Sequence, residues 1–289
     1  MPSIDEIISD INELVSLPGI FVRVNEMVND PDCSMTDVAE VISQDPALTI
    51  RILRMANSPA YGISKEIDSV VKAATIIGTE RVRDIALATS AVDTFDGIPN
   101  ELLSMEDFWM HSIYCAICAK YLAGLAKASN PDSLFVAGLL HDIGHLVLFK
   151  ELPELSRKSL EYILDDIDDV SLYLVEQEFI GFDHAMVGGA LADNWHLTPM
   201  LVETITAHHD LKKANKFLKE SAIVKIANSI AVMAELDSIH IEETDAEVLT
   251  DEDWTCAGLD PAEANSIMEK AVPFAISAYN EVQKLLMGK

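Results

Sequence analysis

Apolar residues recur along this chain at intervals of three and four, and no stretch of useful length alternates with a period of two, so the pattern predicts helices throughout. Ile4, Ile7, Ile8, Ile11, Leu14 and Val15 mark one face of an opening helix, and Ser3 with Glu6 reads as a capping box that covers its free amides. Leu17-Pro18-Gly19 ends that helix. Ile20 to Val28 predicts a second, broken by Asn29-Asp30-Pro31-Asp32, and a third follows from Ser34 with Val38, Val41 and Ile42 inward. Asp45-Pro46 opens a fourth, with an aspartate cap followed by proline where a missing amide hydrogen is no loss. It stops at Asn57-Ser58-Pro59, where the Asn57 and Ser58 side chains are expected to bond nearby backbone and fix the turn. Helices from about Ser69 to Gly78 and from Thr79 to about Asp93 complete this half.

Asp96-Gly97-Ile98-Pro99-Asn100 is the clearest boundary, and the expected architecture is all-α and two-lobed, with lobes at residues 1–99 and 100–289. In the second lobe Glu101 to Ala128 reads as one long helix, Asn130-Pro131-Asp132 breaks it, and an apolar helix carrying His141 and Asp142 follows. Helices recur at about Leu155–Leu164, Ser171–Phe179, His184–Trp195, Pro199–His208 and Leu218–Glu235. Leu236 to Asp253 is so acidic that it reads as a solvated loop, and Asp260-Pro261 caps a last helix toward Leu286.

Composition narrows the partners. The 20 Lys and Arg against 48 Asp and Glu leave a net charge of −28, a field that repels phosphate backbones and argues against nucleic acid as the main partner. Arg51, Arg54, Arg81 and Arg83 read as solvated helix faces. No run of about 18 apolar residues appears and none follows a basic N-terminal segment, so a cytoplasmic location without a membrane span is expected. Cys115 and Cys118 have the spacing of a redox pair, but inside an apolar helical pattern they read as small buried side chains.

The chemistry gathers in the second lobe. His141-Asp142 sets an imidazole next to a carboxylate, which on a helix leave about 100° apart and can grip one ion. Asp107 and His111 stand four apart on one helix face, and His184 and the tandem His208-His209 follow downstream. Histidines and carboxylates spread over several helices are how bundle cores build dinuclear sites. The competing reading is that the histidines are simply packed and hydrogen-bonded.

The run His111, His141-Asp142-Ile143-Gly144, His184 and His208-His209 resembles the HD superfamily of metal-dependent phosphohydrolases. Leu17-Pro18, Asp45-Pro46-Ala47-Leu48 and Asn57-Ser58-Pro59-Ala60-Tyr61-Gly62 are similar to the HDOD family, the HD-related output domain of bacterial signalling proteins, from about Ile11 to about Met233. The resemblance implies an HD-like second lobe, metal-ligand roles for Asp107, His111, His141, Asp142, His184, His208 and His209, and divalent iron, zinc or manganese. It also implies a signalling protein as partner, with a nucleotide-type ligand as a further possibility.

Departures from the pattern shape the expected function. Where an active HD enzyme carries a last aspartate ligand, this chain has Asn228. His145 stands where relatives that cleave cyclic di-GMP have a lysine, and Asp210-Leu211-Lys212-Lys213 lacks their Gly-Tyr-Pro motif. The expectation is a signal-transduction output domain acting by protein contact, non-catalytic or weakly catalytic, with a residual metal site. The alternative is a metal-dependent phosphohydrolase acting on a nucleotide or cyclic dinucleotide.

Overall fold

In the computed structural model, residues 2–12, 17–30, 32–57, 67–95, 104–165, 170–238 and 248–287 are described. All their regular structure is helical, as the period of the apolar positions requires. In chain order the helices are α1 (Ile4–Asn12), α2 (Gly19–Asn29), α3 (Met35–Ile42), α4 (Pro46–Ala56), α5 (Val70–Ile77) and α6 (Thr79–Phe95). They continue with α7 (Met105–Leu125), α8 (Pro131–Leu140), α9 (Ile143–Glu151), α10 (Pro153–Asp165), α11 (Leu172–Phe179) and α12 (His184–Asn194). The last are α13 (Pro199–Ala207), α14 (Leu218–Ser238), α15 (Asp251–Cys256) and α16 (Ala264–Met287). The chain divides into two compact units: Met1–Leu14 with Gly97–Asn280, and Val15–Asp96 with Glu281–Lys289.

In the smaller unit, local chemistry starts and stops the helices. Asp45 accepts hydrogen bonds from the Ala47 and Leu48 amides, with Pro46 at the first helical position of α4. Asn57 reaches further than the turn expected of it. Its amide donates to the carbonyls of Leu53 and Ile67, and its oxygen accepts the Ile67 N–H at 2.7 Å, so one side chain ties the end of α4 to residue 67. Ser58 to Gly62 and the expected boundary at 96–100 lie outside the described residues. Gly78 ends α5 at φ +93°, which a side chain resists. Arg83 differs from its expected solvated position: α6 is buried on nearly every side, and Arg83 is buried with it, 2.8 Å from the Asp84 carboxylate. A buried guanidinium needs such a partner.

The larger unit opens with the expected Ser3–Glu6 capping box. In its core α7 packs on α8 and α14, and α12 packs on α9 and α13. The apolar stretch Pro131–Glu151 has a mean hydropathy of 1.3, long and apolar enough to cross a membrane, yet 89% of its most apolar window is buried inside the protein. Helix contacts there are backbone-close: a Cβ on Gly138 would lie 2.9 Å from both the Ala116 Cα and the Cys115 carbonyl oxygen. Cys115 and Cys118 are free and buried in α7, and burial pushes the Cys118 thiol up to about 12, which makes it an inert packing group. The acidic segment is not loop throughout. Its residues 239–247 fall outside the described set, but Thr250 and Asp253 form a capping box that starts α15, and Asp253 is buried 3.3 Å from the Lys225 ammonium.

Candidate metal centre

His141 and Asp142 do not share a helix as the apolar periodicity suggests. The helix breaks between them: His141 terminates α8 and Asp142 precedes α9. The cause is local, since the His141 Nδ1–H turns back to the Gly138 carbonyl at 2.8 Å and satisfies one of the carbonyls that a helix end leaves open. His208 repeats the device at the end of α13, donating from Nδ1 to the Ile205 carbonyl at 2.7 Å. Both helices also start on proline, Pro131 and Pro199.

These bonds fix the tautomers, because a ring that donates from Nδ1 leaves its Nε2 lone pair bare. Carboxylates do the same for two further rings. Glu235 on α14 accepts from His111 Nδ1 at 2.8 Å, and Glu176 on α11 accepts from His184 Nδ1 at 2.6 Å and from the His184 backbone N–H at 2.9 Å. The Nε2 atoms then converge. His111 Nε2 lies 3.3 Å from His141 Nε2, and His184 Nε2 lies 3.0 Å from His209 Nε2. Two lone pairs that close repel unless a proton or a cation sits near both.

Asp142 stands at the middle. Its Oδ2 is 3.2 Å from His141 Nε2 and 3.5 Å from His111 Nε2, and its Oδ1 is 3.3 Å from His184 Nε2 and 3.5 Å from His208 Nε2. Asp142 Oδ1 and His208 Nε2 are buried without a hydrogen bond, a costly state for polar atoms. Two groups of donors therefore share this carboxylate. One is His111, His141 and Asp142, the other Asp142, His184, His208 and His209, and the donor atoms within each lie within 4.8 Å of one another. Such a donor set, rich in imidazole nitrogen with one carboxylate in common, fits divalent transition-metal ions better than magnesium or calcium.

Six of the seven residues singled out from the sequence thus come together. Asp107 does not: it is exposed in the first turn of α7, one turn before His111, and belongs to neither group. Its charge there complements the helix N-terminus. The sequence reading missed Glu176 and Glu235 as partners and gave His145 only the position of a phosphate-contacting lysine. His145 is buried, stacked on the His184 ring at 3.7 Å and 3.2 Å from Glu176. Spacing held a clue to both carboxylates: Glu176 neighbours Val175 on the inward side of α11, and Glu235 stands seven residues after Asn228, on the same face of α14. Asn228 lines the same cleft as His111, as the residue at a ligand's position would. A cleft of about 220 Å³ reaches the site, lined by His111, Asp142, His184 and His209 together with Tyr173 and Asn228.

The charges of the cluster follow from this packing. Burial alone would lower the His184 pKa, but the Glu176 and Asp142 carboxylates outweigh it and hold it at about 10. Burial likewise opposes the Glu176 and Asp142 charges, yet the facing imidazoles keep both acids well below the usual carboxylate range. His208 is driven down to about 4 by burial, helped by its cationic neighbours and opposed by Asp142. The His184 pKa is raised from an ordinary 6.5 to about 10, so its contribution to metal-free stability is complete below pH 6.5 and is lost as pH rises toward 10. The lowered His208 and Glu176 values work on the other side: stability is lost through His208 as pH falls from 6.5 toward 4, and through Glu176 only below its ordinary 4.5. Denaturant titrations of chelator-treated protein should therefore find greatest stability near pH 6.5, with an alkaline limb to which His184 contributes at most about 1.4 kcal/mol per pH unit, which His184→Gln reduces, and to which the raised His111 also adds. An alkaline limb unchanged by that substitution would contradict the assignment.

Residues 14–211 match the HDOD domain. The chain belongs to the HDOD family. A protein of Treponema pallidum (strain Nichols), described as uncharacterized, is 26% identical to this HDOD chain over 208 residues, 71% of this chain and 39% of the relative. The chain therefore spans about two fifths of that relative's length. Among solved structures, an HDOD domain protein of unknown function from Geobacter sulfurreducens is similar with a TM-score of 0.75 at 26% identity, covering 96% of both chains. A candidate phosphohydrolase from Shewanella amazonensis reaches 0.72 at 25% identity, covering 97% of both.

Proposed function

We propose that this HDOD chain is a signalling output domain that acts by contact with a partner protein, and that its HD-like bundle keeps a metal centre with little or no hydrolytic activity. The observation that carries this reading is Asn228. It lies beside His111 in the cleft, where a catalytic HD site would add an aspartate, and its neutral amide leaves the centre one negative charge short. Two further features agree. Among the described residues that line the cleft none is Lys or Arg, and His145, at the position of a phosphate-binding lysine, is committed to Glu176 and to the His184 ring. The net charge of −28 suits a partner that presents a basic patch.

His111, His141, His184, His208, His209 and Asp142 would hold the ions, with iron or zinc favoured over manganese by the nitrogen-rich donor set. When bound, a pair of such ions supplies Lewis-acid polarisation of a phosphoester and makes water more acidic. Hence the second reading, a metal-dependent phosphohydrolase, which the sharing of Asp142 between two donor groups favours. Metal analysis by mass spectrometry on protein purified without an affinity tag, beside the His141→Ala/Asp142→Ala variant, tests the centre. Bis(4-nitrophenyl) phosphate turnover with the recovered metal tests the choice. Near-stoichiometric metal in the wild type alone, with turnover at the variant's background, is expected. Metal-dependent turnover would favour the phosphohydrolase, and metal in neither protein would remove the centre from both readings.

A further inference from the structure

The two donor groups around Asp142 are unequal. His184, His208 and His209 with Asp142 make four protein donors, of which His208 is fully buried and His184 nearly so. Behind them Glu176, 3% exposed at its side chain, takes both N–H groups that His184 can offer it, so ring and backbone are held together. The other group has three donors, His111, His141 and Asp142. It is backed by Glu235, whose side chain is 24% exposed, and is completed toward the cleft by the Asn228 amide in place of an anion.

We infer that the two halves load unequally: the His184 half holds its ion tightly, the His111 half holds an exchangeable one, and Glu176 and Glu235 are the positioning carboxylates that set each affinity. The inference rests on the metal centre proposed above and adds its regulation, in which occupancy of the weaker half is the variable state of the site. The physical basis is donor number, charge and support. An imidazole whose Nδ1–H is held by a carboxylate is oriented and made more basic, and loss of such a partner lowers metal affinity about 10- to 100-fold. Glu176 delivers that support from a dry environment, where a charge is weakly screened. Glu235 delivers it from a wetter one, to a half with one protein donor fewer.

The test is a cobalt(II) titration of this chelator-treated chain, followed by its visible absorption and by competition with a chelator of known affinity. Wild type should give two classes of site, with dissociation constants at least tenfold apart. Glu176→Gln should weaken the tight class about 10- to 100-fold, and Glu235→Gln should weaken only the other. Asn228→Asp should tighten the weak class without moving the tight one, a gain that misfolding cannot produce. Circular dichroism and metal-free melting separate a structural role, which would lower the melting point and leave the cobalt spectrum and both affinities unmoved. Two ions of equal affinity in wild type, or an Asn228→Asp variant whose weak class is unchanged, would overturn the inference while the centre stands. No cobalt binding at all would instead defeat the centre itself.

Discussion

Gly144→Ala is expected to destabilise the larger unit by about 3 kcal/mol or more and to strip the centre of metal, a larger effect than one added methyl has in most cores. A Cβ at this position would overlap the His184 carbonyl oxygen and lie 2.7 Å from the Gly188 backbone nitrogen, so no side-chain rotation can relieve it. Only separation of α9 from α12 would make room. That movement would carry Asp142 away from His184, since Asp142 immediately precedes α9 and His184 begins α12. Gly124→Ala is the matched control. Nothing lies within 4 Å of its added Cβ, and near the C-terminal end of α7 the change should be neutral or stabilise by less than about 1 kcal/mol. Urea denaturation of the two variants compares them directly. Equal midpoints would mean that α9 and α12 are not held at this contact.

The second large effect is at Asp142. Asp142→Ala removes the one carboxylate that both donor groups share, so both ions should be lost together, with an affinity drop beyond the ~100-fold seen when a merely supporting residue is removed. Changes to His209, which belongs to one group only, should affect one class of ion and leave the other. Metal-to-protein ratios after desalting report this, and an Asp142→Ala protein that kept one tightly held ion would show that the carboxylate is not common to both. The metal-free protein should respond too. His141, His184 and His208 hold the Asp142 carboxyl well below its ordinary pKa, so the acid contributes stability at neutral pH that is lost on acidification. The variant should therefore be less stable than wild type at pH 7, and the gap should narrow only as pH falls below 3.8.

Much of this was legible in the sequence, for identifiable reasons. Helices declared themselves because their apolar residues keep the period of a buried face and their ends carry proper caps, as at Ser3 and Asp45. The convergence of five histidines with Asp142 was readable because these residue types are uncommon in apolar helices. The break at His141 was not, because the apolar run continues through it and the interruption is one imidazole folding back on a carbonyl. Asp107 was misplaced for the opposite reason: spacing of four residues sets it on the His111 face, but a helix's first turn can stand clear of the core that its second turn enters. Glu176 and Arg83 look like surface residues in composition, and only a partner far along the chain or immediately beside them makes burial tolerable. Thr250 and Asp253 were hidden by the acidic residues around them.

The two histidines that end α8 and α13 serve the chain twice, once as ring nitrogens facing Asp142 and once as plugs for open helix ends. A lineage that abandoned its ion would still be pressed to keep them, because losing either ring reopens a carbonyl inside the protein. Descent can therefore preserve the outline of a metal site long after its use has lapsed. Among relatives, the informative position is 228, in the middle of α14, where no helix end depends on the side chain and an aspartate or an asparagine is free to follow the chemistry.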